Sequence, residues 1–246
     1  IWGDSDKPDD CPDALRNLAL SLVEDYQRVR SDNLQEAYQL SKREADAMST
    51  LSVSHLALKS SATDPNAIDS FFISPAQKER WVKARRLFQT ALVQSPLDWR
   101  ISYSLYLLSY DLPDEQLNEL NRRLGSLSLH RPGHLLQLAL IAKFSNQEQD
   151  SLKHFTAAIE GRSSLATRIA KLLASWYPDG EVPLDVFQDE PSQLLQILSA
   201  FPRDTFPLTH QRVVQRATVA TEALPRVDVN RALYLSAIAR DEGDLE

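Results

Sequence analysis

Five histidines, His55, His130, His134, His154 and His210, are the side chains best suited to proton transfer or metal ligation near neutral pH. His130 and His134 stand four apart, the spacing that puts two imidazoles on one face of a continuous helix, as metal sites require. Pro132 and Gly133 interrupt that helix, no glutamate lies between the pair and no cysteine is near, so both read as surface or helix-cap residues. The other three are scattered and read as polar edges of helix contacts. Serine is abundant, yet no glycine-flanked serine elbow and no serine-lysine pair stands in a hydrolase-like context. Gly161-Arg162-Ser163-Ser164 offers one glycine and no lysine where a phosphate-cradling loop needs both. The carboxylate pairs Asp114-Glu115 and Asp189-Glu190 fall at helix starts, where negative charge complements the helix dipole. No catalytic residue, metal ligand or cofactor site is therefore expected.

Aromatic residues are the next candidates. Trp81, Trp99 and Trp176 lie on apolar helical stripes and are expected in the core. Tyr103, Tyr106 and Tyr110 share one helix and cannot all face the same side, which makes that helix the best local candidate for ligand contact. Trp2 stands apart in an acidic leader, residues 1–12.

The elements that position these groups follow from composition and period. With 43% hydrophobic and 25% charged residues the 246-residue chain is ordinary for a folded soluble protein, and few glycines with many leucines favour helix over sheet. A net charge of -7 argues against a nucleic-acid surface, which needs clustered lysine and arginine. The lone Cys11 rules out an internal disulfide, leaving cytoplasm and periplasm both open. The apolar run Leu135–Ala142 stops at Lys143, far short of the roughly 20 residues that span a bilayer. The start at Ile1-Trp2-Gly3, without methionine, is expected to reflect processing or excision from a longer protein, which could itself carry a membrane segment.

Leu15, Leu18, Ala19, Leu22, Val23 and Tyr26 recur at three and four residues, predicting a helix from Asp13 to about Arg30. A long helix is expected to Lys59, then a loop at 60–74. Further helices are predicted from Pro75, over Asp98–Tyr110, over Asp114–Leu127 with Asp114 as cap, from Arg131-Pro132 to Phe144, from an Asn146 cap to Glu160 and from Ser163 or Ser164 through Trp176. Residues 177–208 read as irregular, with a short helix near Ser192–Ala200. Helices at about Thr209–Ala223 and Val229–Asp241 follow. Short spacers make sequential helices antiparallel neighbours, so an all-α domain over 13–246 is expected.

Residues 134–163 resemble a tetratricopeptide repeat. Leu135 matches the bulky anchor, Ala139 and Ser151 the small positions, Phe155 the aromatic and Ala158 the last alanine. Ala84, Phe88, Ala91 and Pro96 match the second helix and closing proline of another unit. Ala232, Leu235, Ser236, Ala239 and Gly243 resemble the start of a third, truncated one over 229–246. Ala139 and Ser236 replace the family's first-helix glycine, and 60–74 and 177–208 fit no repeat. The resemblance implies antiparallel hairpins stacked as an α-solenoid, the alternative being an irregular helical bundle.

It also implies a non-enzymatic protein or peptide interaction module. The expected inner face comprises Arg100, Tyr103, Leu136, Leu140, Lys143, Asn230, Leu233 and Arg240, a basic and apolar strip suited to an acidic partner with an apolar anchor. The rival expectation is an accessory helical domain of a larger membrane-bound or periplasmic transferase or polysaccharide-processing enzyme.

Overall fold

A computed structural model describes residues 11–23, 52, 54–55, 75–109, 112–128, 131–178, 181–225 and 228–242. The rest of the leader, nearly all of the long helix expected up to Lys59, the 60–74 loop, Tyr110, His130 and the turn from Gly243 lie outside the described residues. Those described are helical or irregular, with no strand among them. The helices are α1 (residues 12–23), α2 (Pro75–Gln94), α3 (Trp99–Leu108), α4 (Asp114–Leu127), α5 (Pro132–Phe144), α6 (Glu148–Gly161), α7 (Ala166–Trp176), α8 (Pro191–Leu198), α9 (Pro207–Glu222) and α10 (Val229–Glu242). The chain divides into two compact units, Ile1–Ser151 and Leu152–Glu246.

In the first unit each helix packs on the next, α2 on α3, α3 on α4 and α4 on α5. Residue type dictates the faces. Helix α2 buries Trp81, Ala84, Phe88 and Ala91, one stripe at helical spacing, and leaves its arginines outside. Helix α3 has no such division: every residue from Ile101 to Leu108 is buried. A helix apolar on all sides belongs in the middle of its unit, and each fully buried leucine or isoleucine there stabilises by about 1.5–3 kcal/mol. The Trp81 indole N–H donates to the Leu108 carbonyl at 3.3 Å, tying α2 to the end of α3.

Several boundaries differ from expectation for identifiable reasons. Helix α1 starts at Pro12, one residue inside the expected leader, with the Leu15 N–H bonded to the Cys11 carbonyl; proline suits a first helical position. Asp98 caps α3 from outside it, its carboxylate accepting the Arg100 backbone N–H at 2.9 Å. Pro113, not Asp114, occupies the cap position of α4. Asn146 does not cap α6. It closes α5 in a left-handed conformation, φ 59°, with its N–H on Lys143 and the Gln147 N–H on Ala142, the paired bonds of a Schellman motif.

In the second unit α9 packs on α8 and α10, α8 on α10, and α7 on α8. The 177–208 segment is less irregular than its sequence suggests. It holds a 3-10 turn at Leu184–Val186 and helix α8, and it buries Val182, Leu184, Val186, Phe187 and Phe201. Arg216 of α9 fixes it, donating from Nη1 to the Leu184 carbonyl at 2.6 Å, from Nη2 to the Phe187 carbonyl at 2.8 Å and from Nε to Asp189 at 2.7 Å. The Phe155 and Trp176 rings meet at 5.6 Å, and Ala158 is fully buried.

Ala158→Leu is therefore expected to destabilise by about 1–3 kcal/mol, because three added heavy atoms have no space to enter, and to cost more than Ala158→Ser. Urea unfolding of the two variants measures this. A leucine variant as stable as the parent would contradict the packing assigned to α6.

Candidate functional site

In the first unit the chemically richest place lies where α3 meets α5. Trp99 and Tyr103, one turn apart on α3, flank the His134 ring of α5 at 4.1 and 5.2 Å between centroids, and the Arg131 guanidinium lies 5.5 Å from the Trp99 ring centre. The Tyr103 hydroxyl donates to Gln137 Oε1 at 2.5 Å and lies 3.0 Å from the Ser52 hydroxyl, which also donates to Gln137 at 3.2 Å. Burial, then the nearby Arg131 charge, holds the half-buried His134 below the usual histidine range. Its Nδ1 is enclosed without a hydrogen-bond partner. Burial and the neighbouring Tyr103 push the Tyr106 phenol well above the ordinary tyrosine range. These groups bond and pack on one another, and none of the hydrogen bonds described sets a nucleophile against an imidazole.

The expected inner face divides sharply by exposure. Tyr103, Leu136 and Leu140 are buried, Leu140 completely, because α3 and α5 are enclosed by their neighbours; they present no surface to a partner in this conformation. Arg100 is reachable but engaged. Its guanidinium binds Asp98 at 2.7 Å and Asp13 at 3.3 Å, and its hydrogen bond to Asp98 holds that carboxyl below the usual range against the opposing effect of burial. Lys143 lies 3.5 Å from Glu148. The remaining three residues belong to the second unit, on α10, where Asn230 and Arg240 are exposed and Leu233 is 63% exposed. The third repeat-like stretch is mostly outside the core too: Ala232 and Ser236 are exposed and Ile238 is the buried residue.

Helix α9 of the second unit carries exposed apolar surface, as do Val93 and Leu97 in the first unit. Val213, Ala217 and Thr221 face inward, whereas Leu208 and Val219 are 72% and 62% exposed. A cleft of about 830 Å³ runs beside the helix, lined by Pro207, Gln211, Val214, Gln215, Thr218 and Val219, with Arg203, His210 and Asp241 also on its wall. A second, of about 640 Å³, is lined by Pro191, Val219, Ala220, Ala223 and Leu224 with Asp189 and Glu190 at its edge. Gln215 and Val219 border both. The sequence reading missed these residues, although Leu208 and Val219, eleven apart on a helix whose buried set is Val213, Ala217 and Thr221, are a legible signal of a second apolar stripe. Among the described residues no group of three or more histidine, cysteine, aspartate or glutamate side chains is placed to hold a metal ion, and no helix is long and apolar enough to cross a membrane.

The His134 environment sets a pH dependence with a definite sign. A histidine held below its ordinary range binds fewer protons folded than unfolded, so its contribution is fully present above the ordinary histidine range and is lost as pH falls toward the folded value. His134→Phe, which keeps a ring between Trp99 and Tyr103, is expected to gain stability relative to the parent at pH 5 compared with pH 7.5. Urea midpoints that move in parallel at the two pH values would contradict it.

No protein-family model, curated protein or solved structure matches the chain.

Proposed function

We propose that the chain is a peptide- or protein-binding module of tetratricopeptide-like stacked hairpins, with its binding surface on α9. The observation that carries the reading is the cleft beside that helix. Its α9 lining runs from Pro207 to Val219, a rise of about 18 Å at 1.5 Å per residue. That length accommodates roughly five residues of extended peptide at about 3.3 Å each.

The lining chemistry suits a peptide better than a small apolar ligand. Gln211 and Gln215, one turn apart, each carry both a donor and an acceptor and can pair with backbone amides, while the exposed Val219 and Pro207 receive apolar side chains. The burial of Ala84, Phe88, Ala91, Leu135, Ala139, Ser151, Phe155 and Ala158 supports the hairpin phase of the two interior repeats. Of the residues expected on the inner face, Asn230, Leu233 and Arg240 of α10 are exposed in the same unit, and the cleft's Arg203 is available to an acidic partner residue.

Selection of a random-peptide display library on the immobilised chain tests this. Peptides enriched on the parent should bind Gln215→Ala/Val219→Asp at least about tenfold more weakly, as expected for changes at an interface centre, while melting is unchanged within about 0.5 kcal/mol. Enriched peptides that bind the double variant as well as the parent would reject α9 as the surface.

A further inference from the structure

His210 stands at one end of the α9 cleft and is nine-tenths buried. Both ring nitrogens have hydrogen-bond neighbours: Nδ1 lies 2.9 Å from the Phe201 carbonyl oxygen and Nε2 lies 2.8 Å from the Asp241 carboxylate. A carbonyl and an ionised carboxylate only accept. The ring satisfies both at once only when both nitrogens carry protons, that is, as imidazolium. Either neutral tautomer turns a lone pair toward one of the two oxygens.

The two partners are not equally free to move away. Phe201 is fully buried, packs edge-on against Phe206 at 5.9 Å and has its own N–H bonded to Leu198, so its carbonyl is fixed by the turn. Asp241 is one-third exposed and lies in the last turn of α10, where helices open most readily. Loss of the proton therefore leaves Nδ1–H on Phe201 and releases Asp241. We propose that His210 and Asp241 form a proton-dependent latch that fastens the end of α10 to α9: closed with His210 protonated, open with it neutral.

Helix α8, the main neighbour of α9, has the sequence PSQLLQIL and no titratable group. From the turn before α9, the exposed Arg203 lines the same cleft, and Asp204 next to it in sequence is exposed. From α10, Asp241 is the acid in contact, and Arg240 next to it is exposed. Because Asp241 forms part of the cleft wall, the latch would also set the width of the cleft proposed above to take a peptide; only that consequence rests on the binding reading.

Hydrogen exchange of the full chain, read by mass spectrometry on the segment 235–242 at pH 5.5 and pH 8 and corrected for the intrinsic pH dependence of exchange, tests the latch without any peptide. The parent should lose about three- to tenfold protection at the higher pH, less than a fully buried charged hydrogen bond implies because Asp241 is partly solvated. Asp241→Asn, whose carboxamide pairs with either form of the ring, should remove the pH dependence. Parent protection that does not change with pH, or a change that survives in Asp241→Asn, would overturn the proposal. Failure of the peptide selection would leave this result standing, and the reverse holds equally.

Discussion

A helix can offer one wall to a partner only if its other wall is fixed, and in the second unit that fixing is the work of Arg216. Its guanidinium bonds the Leu184 and Phe187 carbonyls and Asp189, joining α9 to the segment that precedes α8. Those carbonyls stand beside the buried side chains of Leu184, Val186 and Phe187, where an unmade hydrogen bond costs about 1–3 kcal/mol. With Thr209, His210, Val213, Val214, Ala217 and Thr221 buried as well, α9 is held in place while Leu208 and Val219 stay uncovered. Both clefts are consequences of that anchoring.

The first unit solves the opposite problem. Helix α3 is buried on every side from Ile101 to Leu108, and α5 from Leu138 to Ala142. Such helices make a core but offer little surface. On α3 the Tyr103 hydroxyl is paired inside the protein with Ser52 and Gln137, whereas the Ser102 hydroxyl is enclosed without a hydrogen-bond partner. The aromatic cluster of Trp99, Tyr103 and His134 is the visible edge of this packing, and its charged neighbours Arg100 and Arg131 are engaged by Asp98 and by the Trp99 ring. The two units thus divide the roles, one built around enclosed helices and the other around a helix half open to solvent.

Much of this helical framework was legible because apolar residues recur at three and four positions, as Trp81, Ala84, Phe88 and Ala91 show, and because Pro75 and Pro132 mark helix starts; Pro207 was expected to break the chain before a helix from Thr209, yet opens that helix. The small positions Ala139, Ser151 and Ala158, all buried, were expected from the resemblance to a tetratricopeptide repeat. The proposed binding surface was not. Periodicity says which residues share a face, but not whether a neighbour covers it, so Tyr103, Leu136 and Leu140, expected on an open inner face, are buried. Arg216 reaches back 27 to 32 residues, and His210 forward 31 to Asp241, contacts that no local pattern encodes.

A crystal structure of the chain with a selected peptide bound tests the central claim most directly. The account predicts peptide density along α9, with backbone amides bonded to Gln211 and Gln215 and an apolar side chain against Val219. Density seated instead on the Trp99, Tyr103 and His134 cluster, with the α9 cleft filled only by solvent, would contradict it.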